Sequence, residues 1–291
     1  MATNDIESFT WLTDPHLEFC SHRTRHDLYQ SINQAAGEIV VITGDISAGP
    51  HRSDQYTELA EHVTKPIYFV LGNHDRYGTT FANTEAVVTR VTRQFSHLVR
   101  LDGSQVIPLN ESVALIGVEG WADGLGGEGP STKARINDFY EIVDFATEPE
   151  PQVFRAMKER ARKYARALRP SLLKALKAYQ TTIIATHVPP YEDAAWHEGS
   201  PSSGDYQPFF SSPTMGKLIK AAATEHPGKS VLVLCGHTHS PGIYRDGSIL
   251  VLTAGARYGY PAISQMIRLD RLGSIFEQES ISGSDFGIPI R

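Results

Sequence analysis

The chain has 291 residues, 41% hydrophobic and 21% charged, so it can bury a full core without disulfide staples and is too apolar to be disordered. Cys20 and Cys235 are too few for a disulfide framework, no apolar run nears the ~18 residues of a membrane span, and Met1–Glu7 lacks a signal-peptide core. With 27 basic against 33 acidic residues, the net charge of −6 weighs against a general binder of phosphate backbones. These limits describe a soluble, cytoplasmic globular protein with no membrane partner, read as a single domain over 1–291.

Short apolar runs rich in Val, Ile and Leu predict strands at 8–12, 38–43, 66–71, 113–118, 182–185, 231–235 and 249–253. Between the first two, 24–36 carries Leu28, Ile32 and Ala35 on one helical face and stops at Gly37. Ser53 is placed as the N-cap of a helix bearing Tyr56, Leu59, Ala60 and Val63. Residues 84–95 present Val87, Val88, Val91 and Phe95 together. This β-α-β-α-β-α order predicts a layered α/β fold. From about 121 to 180 the rhythm changes to a glycine-rich loop and a helical insertion, broken at Pro170, with Phe154, Met157, Ala161, Tyr164 and Leu168 at helical spacing. The stretch 188–212 is long for a loop and is expected at the rim of a site.

Five of the predicted strands end in residues of metal-binding type. They run into Asp14 and His16, Asp45, Asn73-His74-Asp75, His187, and His237 with His239. In open α/β sheets ligands bind beyond the carboxyl ends of strands. One such Asp is normally a turn former or a cap, and one such His a satisfied structural residue. Five together predict a metal site. Asp14 and His16, like His237 and His239, are two apart, so on extended backbone each pair points one way. Glycine precedes Asp45, Asn73 and His237, allowing a sharp turn and close approach. The set exceeds the needs of one ion, which argues for two.

In this order, Asp-x-His, Gly-Asp, Gly-Asn-His-Asp, a lone strand-end His and Gly-His-x-His resemble the calcineurin-like metallophosphoesterase superfamily, across residues 14 to 239. The resemblance implies a four-layer α/β/β/α sandwich around a binuclear centre. It assigns Asp14, His16, Asp45 and His239 to one ion, and Asp45, Asn73, His187 and His237 to a second. It makes His74 the catalytic histidine and Asp75 the carboxylate that orients it. Asp14-Pro15-His16-Leu17-Glu18-Phe19 and Ile136-Asn137-Asp138-Phe139-Tyr140 also resemble a subset of bacterial phosphoesterases of ill-defined substrate. Gly44-Asp45 continues as Ile46-Ser47-Ala48, without the Val-Asp-Arg-Gly of protein serine/threonine phosphatases.

The expected chemistry follows. Two divalent ions against the carboxylates of Asp14 and Asp45 leave a net positive centre for a bridging hydroxide and a phosphate ester of a small phosphorylated substrate, a diester slightly favoured. His74 would protonate the leaving oxygen. Mixed His, Asp and amide ligands suit Mn, Fe, Co or Zn better than Mg; the resident metal and the oligomeric state are not written in the sequence. Two alternatives stay open: a nuclease, favoured only by the nine basic residues against Glu159 between Arg155 and Lys177, and a metal-bound scaffold without turnover. Tyr191, Trp196, Tyr206, Phe209 and Phe210 could stack a substrate ring, Arg257 could reach its phosphate, and His22, His26 and His197 could line the pocket. His51, His62, His97 and His226 are assigned to surface or structural roles.

Overall fold

The computed structural model describes residues 5–277; residues 1–4 and 278–291 of the expected 1–291 unit lie outside the described residues. In chain order the first part forms β1 (Ser8–Leu12), α1 (His22–Gln34), β2 (Ile39–Thr43), α2 (Arg52–His62), β3 (Ile67–Val70), α3 (Phe81–Gln94) and β4 (Leu98–Arg100). Then come β5 (Ile107–Pro108), β6 (Val113–Gly117), α4 (Asp138–Glu141), α5 (Val143–Ala146), α6 (Glu150–Ala178) and β7 (Thr181–Ala185). The last part forms the hairpin β8 (Trp196–His197) and β9 (Ser200–Pro201), α7 (Gln207–Phe210), α8 (Pro213–Glu225) and β10 (Ser230–Cys235). It ends with β11 (Gly242–Asp246), β12 (Ile249–Thr253), β13 (Gln265–Arg268) and α9 (Leu272–Glu277).

Two sheets result, in orders β13-β1-β2-β3-β4 and β11-β12-β10-β7-β6-β5. The inner strands are parallel, and β13, β11 and β5 close edges antiparallel. The parallel strands read as continuous apolar runs because both of their faces are covered. Phe9, Trp11, Ile39 and Val41 of the first sheet face Leu115, Ile183, Leu232 and Leu252 of the second. The first sheet's outer face, with Val40, Ile42 and Phe69, meets Leu28, Ile32, Tyr56, Leu59 and Val88 of α1 to α3. The second sheet's outer face, with Ile116, Ile184 and Val233, meets Met157, Ala161, Leu168 and Leu172 of α6 and Ile219 of α8. Each fully buried side chain of this size contributes about 1.5–3 kcal/mol. The layers are therefore α/β/β/α, as expected. The helical segment expected at about 121–180 packs on the second sheet, where α6 carries the crossover from β6 to β7.

Some local expectations need correction. Pro170 does not break α6, which runs through it: the proline is exposed, while buried Leu168, Ser171 and Leu172 hold both sides against the sheet. Ser53 is not a cap. The α2 helix starts at Arg52, whose buried guanidinium donates to the Tyr77 carbonyl (2.6 Å), while Ser53 accepts from Arg90 (3.1 Å). The α3 helix starts earlier than expected, capped by Thr80 accepting from the Asn83 amide.

Candidate metal centre

The carboxyl ends of β1, β2, β3, β7 and β10 meet where the two sheets adjoin. The chain leaves β1, β2 and β10 through left-handed residues: Asp14 (φ 47°), His16 (43°), Asp45 (50°), His237 (72°) and His239 (57°). Among the described residues the one other non-glycine with positive φ is Glu198. Each costs on the order of 1–3 kcal/mol and persists only where surroundings over-determine it. The convergence of Asp14 with His16, and of His237 with His239, therefore comes from left-handed turns and not from extended alternation. The turns are fixed by Asp14 N to Gly44 O (3.1 Å), His16 N to Asp45 O (3.1 Å) and His237 N to the Asp14 carboxylate (3.1 Å). Gly72 and Gly236 permit the approach, since a Cβ there would collide with the carboxylates of Asp45 and Asp14.

Two clusters of ligand atoms form. In the first, His16 Nε2 lies 3.0 Å from His239 Nε2 and 3.7 Å from Asp45 Oδ2, and His239 Nε2 lies 3.5 Å from Asp14 Oδ1. In the second, His187 Nε2 is 3.0 Å from Asn73 Oδ1 and 3.2 Å from His237 Nδ1, which is itself 2.9 Å from Asn73 Oδ1. The outward-facing atoms of this second trio are already committed. His187 Nδ1 donates to Thr43 O (2.8 Å), His237 Nε2 to Phe209 O (2.8 Å) and Asn73 Nδ2 to Asp138 Oδ1 (2.7 Å). What faces inward is a set of lone pairs, and a cation reconciles them. Asp45 joins the clusters, with Oδ2 toward His16 and Oδ1 3.4 Å from His187 Nε2.

The electrostatics agree. Burial pushes the Asp45 carboxyl up, but His187, His74 and His16 together hold it well below the usual range; Asp14 is lowered likewise, chiefly by His239 and His187. Burial opposes charge on His187, yet Asp45 and Asp14 raise it to about 10, while burial and the charge of His187 drop His237 to about 4. The carboxylates of Asp45 and Asp14 thus favour positive charge in the space between the clusters. The donor set of imidazoles, carboxylates and one amide fits a divalent transition metal.

His74 stands beside the first cluster and within neither. Its amide donates to Asp45 Oδ1 (2.9 Å), its ring stacks on Tyr77 at 4.1 Å, and its Nδ1 is 3.9 Å from Glu18 Oε1. Burial lowers its pKa, and Asp45, Glu18 and Asp138 outweigh this and raise it. Asp75, expected to orient His74, makes its hydrogen bonds elsewhere. Both of its oxygens are consumed by the amides of Ile46, Ser47 and Gly72 and by the Tyr56 hydroxyl, so it ties β2 to β3 from beneath. The carboxylate facing His74 is Glu18, which also accepts from His16 Nδ1 (3.2 Å). Glu18 and Asp138 sit inside the Asp14–Phe19 and Ile136–Tyr140 stretches, where no spacing marks their roles. Tyr258, whose ring lies 4.6 Å from His16 and 4.8 Å from His239, gave no sequence signal.

Of the weaker candidates, Arg257 and Trp196 line a cavity beside Asp14 and His239. His51, assigned to a surface or structural role, is exposed and lines one beside His74. His22 and His26 line neither: His22 pairs with Arg25, and His26 sits against His62. His62, His97 and His226 bond backbone carbonyls and are structural. The loop aromatics largely pack on one another, Tyr206 on Phe210 and His197 on Phe210, with Phe210 against His237.

The family model described as calcineurin-like phosphoesterase matches residues 8–241, a span that encloses both clusters. No curated protein matches the chain in sequence. Among solved structures, the fold is similar to that of phosphopantetheinyl hydrolase from Mycobacterium tuberculosis, at 13% identity and a TM-score of 0.61, over 89% of this chain and 96% of that one. It is also similar to the protein TT1561 of Thermus thermophilus, at 14% identity and a TM-score of 0.54, over 91% of this chain and 95% of that one. These two likenesses are of fold alone. The family match over most of the chain, on a four-layer sandwich whose strand ends gather the ligand clusters, places this protein in the calcineurin-like phosphoesterases, a family of metal-dependent hydrolases of phosphoric esters.

Proposed function

We propose that the chain hydrolyses phosphoric esters of small molecules at a centre of two divalent transition-metal ions, Mn, Fe or Zn. Asp14, His16, Asp45 and His239 would hold one, and Asp45, Asn73, His187 and His237 the other. The observation that carries this is the inward trio of lone pairs on Asn73, His187 and His237, joined to the first cluster by one carboxylate, Asp45. When bound, the ions supply charge for the phosphoryl oxygens and an activated water. His74 holds a proton at the rim for the leaving oxygen, steadied by Glu18 and by stacking on Tyr77.

The basic residues between Arg155 and Lys177 line neither cavity beside the centre, so the nuclease reading has no observation in its favour. No helix among the described residues is long and apolar enough to cross a membrane. The test is to strip the protein of metal, restore Mn²⁺, Fe²⁺ or Zn²⁺ separately, and screen phosphate mono- and diesters, cyclic nucleotides included. Turnover that tracks metal content up to about two ions per chain is expected. Two ions bound with no turnover of any ester would establish the scaffold instead.

A further inference from the structure

Two cavities of similar size open onto different parts of the centre. One, of about 650 Å³, reaches it through Asp14 and His239; the other, of about 640 Å³, through Glu18 and His74. Tyr258 lines the second, its ring 4.6 Å from that of His16, 4.8 Å from that of His239 and 6.1 Å from that of His74. The first cavity is walled by Trp11, Trp196, Pro241 and Ile263, and Arg257 is its one Lys or Arg side chain. That guanidinium lies 4.3 Å above the Tyr260 ring and has no carboxylate partner among the described residues. Trp196 can form the wall because the facing residue is Gly242, whose missing side chain leaves room for the indole. The second cavity carries Glu18 and Glu141 and no Lys or Arg.

A monoester has one organic arm and would leave one cavity to water; a diester fills both. Resting on the phosphoester reading above, we infer that the substrate is an asymmetric phosphodiester, its apolar arm seated in the Trp196–Pro241–Ile263 cavity and a second, neutral or cationic arm in the Glu18–His74 cavity. Arg257 pairs with the phosphate or with an acceptor on the apolar arm. The bond from phosphorus to the second arm breaks as water oxygen bonds to phosphorus. The departing oxygen takes a proton from His74, and the products are the monoester of the apolar arm and the free alcohol of the second arm.

The test uses the metal-loaded protein and alkyl nitrophenyl phosphates with methyl, ethyl, propyl and butyl arms. The nitrophenolate, as the better leaving group, departs on the His74 side. The value of kcat/KM should climb by roughly two- to fourfold per methylene. Ala262→Trp, at the mouth of the apolar cavity, should flatten that gradient. Independently of turnover, butylphosphonate should quench tryptophan fluorescence and bind roughly ten- to fiftyfold tighter than methylphosphonate. A flat wild-type gradient with equal binding of the two phosphonates would overturn the apolar arm. Faster turnover of nitrophenyl phosphate than of the butyl diester would overturn the diester assignment. Either result leaves the hydrolase reading standing, whereas no turnover of any ester with both ions bound refutes that reading instead.

Discussion

Asn73 Nδ2 donates to Asp138 Oδ1 across 2.7 Å, and this bond decides which end of the Asn73 amide faces the centre. Asp138 is buried and also accepts from the Tyr77 hydroxyl at 2.6 Å, so it has little freedom to turn away. Without it the amide could present NH₂ groups to His187 and His237, and the cation site would lose its neutral oxygen. Asp138→Ala is expected to weaken the second ion by about 10–100-fold, the usual worth of a partner that orients a ligand, and to spare the first. Metal titration should show stoichiometry falling from about two toward one. Full retention of both ions at unchanged affinity would remove Asp138 from this role.

Asp45 gives a sharper contrast. Its two oxygens face different clusters, so Asp45→Ala should deplete both ions, while His16→Ala, which touches only the first, should leave the second. Elemental analysis of the purified variants reads this directly. Two ions retained in Asp45→Ala would mean that it bridges nothing.

The strands that carry the site were legible because buried parallel strands are written as unbroken apolar runs, and five of them end in ligand-type residues. The edge strands β4, β5, β11 and β13 were not legible, being short or half-exposed, with residues such as Arg100, Pro108 and Arg245 that break the pattern. Left-handed turns at Asp14, His16 and Asp45 were hidden too, because nothing in those residue types demands positive φ. The placement of Asp75 was hidden for a related reason: adjacency to His74 suggests contact, but the chain turns into a 3₁₀ segment there and sends the carboxylate beneath the β2 turn.

Pro170 shows tertiary packing overriding propensity. It lacks the amide hydrogen that would close a turn of α6, and its side is exposed, so the helix pays a local cost that its buried face offsets. Pro170→Ala should restore that bond and stabilise the protein by about 1–3 kcal/mol, less the ~0.4–1 kcal/mol that proline gains by restricting the unfolded chain. Thermal unfolding would show a higher Tm; a lower one would mean that the proline's restriction of the unfolded chain outweighs the missing bond.

Arg76 is fully buried and pairs with Glu119 and Glu85, while Arg100 also grips Glu85. Burial pushes the Glu85 carboxyl up, but Arg100 and Arg76 overcome this and hold it at about 2. A depressed folded pKa means stability present above the unfolded value, near 4.5, and lost as pH falls toward 2. The Tm gap between the wild type and Glu85→Gln should therefore be widest above pH 5 and shrink below it. Glu85 is part-exposed, so the gap should be modest and smaller in high salt. A gap constant from pH 6 to 3 would show that the charge of Glu85 contributes nothing.

His74 and its neighbours separate a proton donor from a prop. His74 touches Asp45 through its backbone amide, not its ring, so His74→Ala should keep near-normal metal content. If its ring protonates the leaving oxygen, kcat on alkyl esters should fall by roughly 10²–10⁴-fold. The loss should be far smaller on nitrophenyl esters, whose leaving group departs without help. Glu18→Gln should show a weaker form of the same leaving-group dependence, because Glu18 faces His74; its contact with His16 makes a metal assay of this variant essential. Asp75→Asn should behave differently. An amide cannot accept all the bonds that Asp75 receives from Ile46, Ser47, Gly72 and Tyr56, so the variant should lose Tm and affect all substrates alike. Leaving-group dependence in Asp75→Asn and none in Glu18→Gln would return the orienting role to Asp75, and missing metal in His74→Ala would make His74 a ligand.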